Sequence, residues 1–423
     1  VELRAYQSRA ISDARAQIVA GNRAPLLCAP PGAGKTTIGA AIAASRIARG
    51  GRVAWFAHRV EICAQAEETL ARAGAPRDRY RVTTYQSVVA SGDAPDADLA
   101  IFDECHYLGV SSEIWRRIPE AYADKIRIGL SATPERADGS ALSGFDAIVP
   151  VSSYSELIAL GHLVPCEVFT TPAPLKSREI LARPVDAYQL RTPGQLAVCF
   201  GPTVEACNRF VDEFRGLGVA AEVLHAKSTD RAEVLARWRR RETLVVCNVG
   251  IVSEGFDLPS IECVILARSV GTCGFYLQTT GRGLRPAPGK TRCTLLDLSG
   301  AAHLHGSPTC DRVYSLEGKG IGRAGVAMPA TTLCSVCGTA PPCECGGREQ
   351  TEMSITGKAS DLRPWVIAMR AESDDRRIER LARWIKQGSE KGYRDGWALN
   401  KFRGVYAGAP SAQIVEAARA KAR

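Results

Sequence analysis

A chain of 423 residues with 45% hydrophobic and 23% charged residues excludes a mostly disordered or fibrous protein. It is long enough for about two to four domains. No apolar run approaches the roughly 18–20 residues that span a bilayer, and the opening VELRAYQSRAI is too polar for a signal peptide, so a soluble cytoplasmic protein with no membrane partner is expected. The formal charge of +9 permits a nucleic-acid partner without requiring one.

In chain order, short apolar runs at residues 26–29, 53–57, 99–102 and 126–130 alternate with stretches of helical pattern. A second set follows at 196–200, 222–225, 244–247, 264–267 and 295–298. Such alternation predicts parallel βαβ units, and hence α/β sheets covered on both faces. Residues 165–193, rich in proline and polar side chains, read as linker plus connector. Beyond Gly300 the alternation stops, and helical patterning returns at 374–387 and 411–423. The expected organisation is two tandem α/β domains over 1–152 and 153–305, a Cys-rich segment over 306–355 and a basic, partly helical tail over 356–423.

The first run leads directly into Ala29-Pro-Pro-Gly-Ala-Gly-Lys-Thr36 and then a predicted helix, the strand–loop–helix setting of a phosphate-binding P-loop. Gly32 and Gly34 let backbone N–H groups curl around phosphate oxygens, and the helix N-terminus favours negative charge. Lys35 is placed to reach the β- and γ-phosphates of ATP, and the Thr36 hydroxyl to ligate Mg²⁺. Ala29 stands where a first glycine is usual. The run at 99–102 delivers Asp103-Glu-Cys-His106 at its carboxyl end, where open α/β sheets place ligands. Asp103 would hold Mg²⁺ and Glu104 would orient and polarise the attacking water. The run at 126–130 ends in Ser131-Ala-Thr-Pro134, a third strand end facing the same crevice.

In the second half, QTTGRGLR carries Gln278, Arg282 and Arg285. On a helix, Gln278 and Arg282 share a face at i,i+4 and Arg285 follows three residues on. Two arginines from another domain suit the neutralisation of charge on a transferring phosphoryl group.

Together these segments resemble the superfamily 2 DEAD/DEAH-box-like helicases and translocases, over about residues 1–300 and in the family's order. Leu3-Arg-Ala-Tyr-Gln7 resembles the adenine-reading segment, which carries Arg4 and Gln7. Ala57-His-Arg59 and Thr83-Thr-Tyr-Gln-Ser87 resemble segments that grip a nucleic-acid backbone, through His58, Arg59, Thr84, Gln86 and Ser87. Cys199-Phe-Gly-Pro-Thr203 resembles the first signature of the second motor domain, with Thr203 on the strand, and Asn248-Val-Gly-Ile-Val-Ser-Glu-Gly-Phe-Asp257 the coupling motif near the nucleotide, with Gly255 and Asp257. The resemblance implies two RecA-like domains, an ATP site that also includes Ala33 and Thr37, and a coupling role for His106, Ser131 and Thr133. Cys105 replaces the alanine common in this box. GRGLRPAPGKTRCTLLDLSG and EGFDLP are most similar to the RadD-type bacterial DNA repair helicases. That likeness implies single-stranded, forked or branched DNA as substrate and recombination or repair proteins as partners. The oligomeric state stays open, a monomer being compatible. Two other readings stay open: an RNA helicase, and an ATP-gated nucleic-acid-binding clamp that separates no strands.

Of the fifteen cysteines, eleven lie singly in the first 310 residues, often inside apolar strings, and read as small hydrophobes in a reducing compartment. The other four, Cys334, Cys337, Cys343 and Cys345, form CxxC-x5-CxC with glycines alongside. Four thiolates suit a structural, tetrahedral Zn²⁺. The spacing is tight, so a ligand from Cys310, His303 or His305, or free or redox-paired thiols, stays open. Residues 356–423 carry a net charge of +7, and the remaining 355 only +2. Tail aromatics among those basic residues could stack on bases or dock inward; Arg394, Lys401 and Arg403 in the stretch 392–403 are the candidates for DNA contact.

Overall fold

The structure is a computed structural model of the chain; it describes residues 2–109, 118–134, 142, 144–176, 178–225, 227–249, 260–312, 316, 354–365, 374–390, 398, 399, 402 and 410–422. The chain divides into two compact units, residues 1–162 with 312–321 and residues 163–311 with 322–423, so the division falls after His162 and not after Ser152.

The first unit is built on six parallel strands: β1 (Pro25–Cys28), β2 (Val53–Ala57), β3 (Tyr80–Thr84), β4 (Leu99–Asp103), β5 (Ile126–Ser131) and β6 (Ala147–Pro150). Their spatial order is β3-β2-β4-β5-β1-β6. The sequences PLLC, VAWFA and LAIFD are buried throughout, as strands covered on both faces must be. On one face Phe56 stacks on Phe102 with centroids 5.4 Å apart and tilts against Tyr122 at 5.7 Å. Burying such a ring contributes about 2–3 kcal/mol. The edge strands β3 and β6 show why apolar runs alone miss them: YRVTT is buried only at Tyr80, and AIVP only at Val149.

The second unit holds β7 (Cys166–Thr170), a short β8 (Glu179–Ile180), β9 (Ala197–Phe200), β10 (Ala221–Leu224), β11 (Val245–Asn248), β12 (Cys263–Leu266), β13 (Cys293–Asp297), β14 (Ser354–Ile355) and β15 (Arg363–Pro364). Seven of these form one sheet ordered β10-β11-β9-β12-β13-β7-β15, parallel except for β15 against β7. Residues 165–193 are therefore not a linker. Cys166–Thr170 lies in register beside Cys293–Asp297, and helix Pro184–Arg191 buries Val185 and Tyr188 in the core. The flanking prolines bound real elements here, Pro184 sitting in the first turn of its helix.

The chain beyond the Cys-rich stretch returns to this same fold. β14 pairs with β8, Ala359 and Leu362 enter the core, and Trp365 Nε1 donates to Ala302 O at 3.4 Å. Residues 356–365 thus belong to the second unit and not to a separate tail. Helices Asp374–Glu390 and Ala412–Ala422 pack against each other, with Lys421 Nζ 2.8 Å from Glu379 Oε1. Trp384 and Phe402 are 1% and 3% exposed, so these aromatics dock inward instead of offering faces to bases.

The edge strand β10 is fastened by Arg237, whose Nε and Nη2 reach the two Glu222 oxygens at 3.0 and 2.6 Å, and by the Thr243 hydroxyl. These donors hold the Glu222 carboxyl below its usual value of 4.5, Arg237 first among them. A depressed folded-state value adds stability that is fully present above 4.5 and is lost as pH falls through the folded value. Glu222→Gln should destabilise by about 1 kcal/mol at pH 7, the low end for a charged hydrogen bond because solvent screens the pair. The gap to wild type should close only below pH 4.5 in urea titrations at stepped pH; a pH-independent gap would assign the loss to packing.

Candidate active site at the carboxyl edge of the first sheet

Strands β4, β5 and β1 are spatial neighbours and run parallel, so the loops leaving their carboxyl ends converge. Those loops are Asp103–His106, Ser131–Pro134 and the P-loop. The backbone ties two of them directly, Ala29 N donating to Ser131 O at 3.0 Å.

In the P-loop, Gly32 and Gly34 have φ of 90° and 80°, the left-handed region that glycine enters without steric penalty. Gly34 is the N-cap of helix Lys35–Ile47, whose first turn has no acidic residue and no side-chain cap. Its leading N–H groups and dipole therefore face the loop, as anion binding requires. Lys35, Thr36 and Thr37 occupy this first turn and are half-buried, while Ala33 is buried. Gln7 is 3% exposed; its Nε2 donates to Ala33 O at 3.1 Å and its Oε1 accepts from Arg4 N at 3.0 Å. Tyr6 OH donates to the same carbonyl at 3.0 Å and receives Arg4 Nη1 at 3.1 Å. Arg4 and Gln7 are thus joined to the P-loop, with Tyr6 as an additional brace that the motif spacing did not single out.

Asp103 is 2% exposed and Glu104 follows it at φ 47°, an unusual backbone state for a non-glycine residue. Glu104 N closes onto Asp103 Oδ1 at 3.0 Å, while Tyr85 OH holds Asp103 O at 2.8 Å. Burial first, and the neighbouring Glu104 charge second, push the Asp103 carboxyl up to about 7 against the pull of Lys35. A divalent cation reverses that balance by favouring the ionised form. Lys35 Nζ lies 3.7 Å from Glu104 Oε1, and His106 Nδ1 lies 3.5 Å from Glu104 Oε2. Ser131 donates its one hydroxyl hydrogen to Thr133 O and accepts from Thr133 N at 3.1 Å. The 3.0 Å contact with His106 Nδ1 therefore makes that nitrogen the donor. Lys35, Glu104, His106, Ser131 and Thr133 form one connected polar line. The donor set fits a nucleoside triphosphate with its divalent cation: a lysine, a hydroxyl at Thr36, a buried carboxylate and a row of open N–H groups.

One and two strands further along the same edge stand His58 and Arg59, after β2, and Thr84, the last residue of β3, with Gln86 and Ser87 following it. Thr84 uses its hydroxyl as N-cap of helix Tyr85–Ser91, accepting from Ser87 N at 3.1 Å; Gln86 and Ser87 are exposed. In the second unit Thr203 is likewise an N-cap, accepting from Ala206 N at 3.0 Å. Gln278 is buried within helix Cys273–Gly281, and Arg282 is its C-cap with helical backbone angles. The helix ends there, so Arg285 lies on the following turn and does not continue the helical face. Gly255, Asp257, Arg394, Lys401, Arg403, Cys334, Cys337, Cys343 and Cys345 lie outside the described residues. Among the described residues, no group of three or more His, Cys, Asp or Glu side chains is placed to hold a metal. His303 and His305 each place Nε2 at 2.8 Å from a backbone carbonyl, of Thr171 and Val270.

A parallel sheet with a P-loop, an acidic pair at the end of a strand two places away and a second α/β sheet with two arginines on the turn after a helix defines a two-domain P-loop ATPase of the motor type. The chain belongs to superfamily 2 of the helicases, a family of ATP-dependent nucleic-acid motors: residues 1–136 match the family "Type III restriction enzyme, res subunit" and residues 179–287 the "Helicase conserved C-terminal domain". It is 27% identical over 306 residues to a 51.5 kDa protein of a Lactococcus phage (isolate 7-9), covering 67% of each chain. It is 30% identical over 244 residues to a Schizosaccharomyces pombe protein named as a mitochondrial ATP-dependent helicase, irc3, covering 50% of this chain but 40% of that one. In fold it is similar to the ATP-dependent Type ISP restriction-modification enzyme LlaBIII bound to DNA, with a TM-score of 0.53 at 17% identity over 70% of this chain and 28% of that one.

Proposed function

We propose that the chain is an ATP-dependent DNA helicase or translocase acting on branched or repair intermediates, with Mg²⁺ as cofactor. The observation that carries the reading is the convergence of Lys35, Asp103, Glu104, His106 and Ser131 on three adjacent strand ends, with Lys35 and Glu104 3.7 Å apart. Lys35 and the N–H groups of its helix hold the phosphates. Thr36 and Asp103 hold Mg²⁺, which offsets charge on the phosphates when bound. Glu104 orients the attacking water and draws its proton, and the His106–Ser131 contact passes the state of the site to the Ser131–Thr133 loop. Arg282 and Arg285 are assigned the neutralising of charge on the transferring group, and Gln278, Gly255 and Asp257 a part in handling the nucleotide. His58, Arg59, Thr84, Gln86, Ser87 and Thr203 track a strand's phosphates, which makes the motor largely independent of base sequence. Support for DNA comes from the RadD-type segments, from the restriction-enzyme family matched by the first domain, and from the DNA-bound state of LlaBIII. The four clustered cysteines are read as a structural zinc site, and repair or recombination proteins as partners.

The test compares ATP turnover with single-stranded, duplex and forked DNA and with RNA, beside strand displacement on the fork. Forked or single-stranded DNA should stimulate most and the fork should be opened. Preferential stimulation by RNA overturns the choice of DNA; stimulated turnover with neither displacement nor translocation overturns the motor in favour of an ATP-gated clamp.

A further inference from the structure

The turn that carries the two arginines is clamped from several sides, and the clamp includes a lysine to which the motif reading gives no role. After helix Cys273–Gly281, the backbone N–H groups of Arg282, Gly283 and Leu284 fold back onto Thr279, Thr280 and Gly281 carbonyls at 3.4, 3.0 and 3.3 Å. Leu284 is fully buried, and its carbonyl accepts from Val164 N at 2.8 Å, just ahead of β7. Gly283 presses so closely on the sheet that a Cβ there would lie 2.2 Å from Cys293 Sγ and 2.9 Å from Val264 Cγ2. The carbonyls on either side of Leu284, those of Gly283 and Arg285, both accept from one ammonium group: Lys290 Nζ, at 2.6 and 2.7 Å.

We infer that Lys290 is a positioning residue for ATP hydrolysis, its ammonium locking the Gly283 and Arg285 carbonyls so that Arg282 and Arg285 leave the turn at a fixed angle. The inference rests on the reading that these arginines act on the nucleotide's phosphates. The physical case is that of a bidentate strap. A lysine ammonium has three donors and no acceptor, so it can satisfy two carbonyls two residues apart that the short turn leaves outside its own hydrogen bonding. Each such charge-assisted bond is about twice as strong as a neutral one. Lys290 comes from the loop Ala287–Gly289 that leads into β13, so it ties the arginine turn to the strand against which Gly283 already packs. An arginine on a loose turn loses its stabilisation of the transferring group, because that stabilisation depends on charge placed in advance of reaction.

The experiment uses the full chain and measures kcat and KM for nucleic-acid-stimulated ATP hydrolysis in Lys290→Met, in the Arg282→Ala/Arg285→Ala pair and in the triple variant, with thermal melting alongside. Removing the arginines should lower kcat by about 100-fold or more. Lys290→Met should lower kcat by about tenfold with KM for ATP within about twofold, since it alters orientation in the transition state and not ground-state binding. The triple variant should be no slower than the arginine pair, because a strap has nothing to position once the arginines are gone. Losses that multiply in the triple variant, or an unchanged kcat in Lys290→Met while the arginine pair is slow, overturn the inference. An unchanged kcat in the arginine pair overturns the arginine reading and the strap with it. If Lys290→Met does not fold, Lys290→Gln, whose amide can still donate to one carbonyl, is measured against the same outcomes.

Discussion

Glu104→Gln is expected to lower ATP turnover by about 10³-fold, within the range for loss of a general base, while ATP binding stays within a few-fold of wild type. The backbone explains why the effect should be so concentrated. Glu104 occupies φ 47°, so its side chain leaves β4 in a direction an extended residue would not take, toward Lys35 at 3.7 Å and His106 at 3.5 Å. Glutamine preserves the length and volume of that side chain and keeps a neutral oxygen facing Lys35 and His106. It cannot take a proton from water. The substitution also removes the negative charge that helps push the Asp103 carboxyl up to about 7, so Asp103 should ionise more readily and hold Mg²⁺ no less well. Equilibrium binding of ATP beside steady-state hydrolysis separates the two effects. Lys35→Ala provides the contrast, since it should lose binding and turnover together. Turnover of Glu104→Gln within about tenfold of wild type would contradict the assignment of the base.

How much of this was legible beforehand depended on whether a feature was set by local chain or by approach in space. Central strands were legible because a parallel strand covered on both faces must be apolar along its length; VAWFA and LAIFD leave no alternative. The edge strand YRVTT and the next-to-edge strand CEVFT were not, because both carry polar residues at positions that the sheet leaves half open. The connector at 165–193 was misread for the same reason, its prolines bounding elements as readily as they break them. The P-loop and the acidic pair were legible because their chemistry dictates spacing along the chain. Tyr85 on the Asp103 carbonyl and Lys290 on the arginine turn were not: both lie within motif segments, but which carbonyl each side chain reaches is set by the folded backbone and not by residue type or spacing. The helical placement of Arg285 failed on a local detail: Gly281 and Gly283 flank Arg282, and the helix ends at the first of them. Tail aromatics interleaved with basic residues read equally as a stacking surface or a buried seam, and only packing assigned Trp365, Trp384 and Phe402 to the inside.

Gly34→Ala is expected to weaken ATP binding by about 30-fold or more, corresponding to about 2 kcal/mol, and the loss should have two separable origins. The first is backbone strain. Gly34 holds φ 80° at the N-cap of the P-loop helix, and an L-residue in the left-handed region costs about 1–2 kcal/mol. The second is contact: a Cβ at this position would lie 2.5 Å from Gln7 Nε2. Gln7 is no flexible surface group that can swing aside. It is buried and bonded at both ends of its amide, to Ala33 O and to Arg4 N. Displacing it breaks bonds whose loss costs about 1–3 kcal/mol when a buried partner is left behind. Combining Gly34→Ala with Gln7→Ala opens the space but leaves the φ requirement untouched, so the double variant should recover only part of the lost affinity. Titration of ATP into the wild type, both single variants and the double variant reads the two contributions apart. A double variant that binds ATP as tightly as Gln7→Ala alone would mean that the glycine is there for room alone. Wild-type affinity in Gly34→Ala would mean that the loop does not need its left-handed turn to bind phosphate.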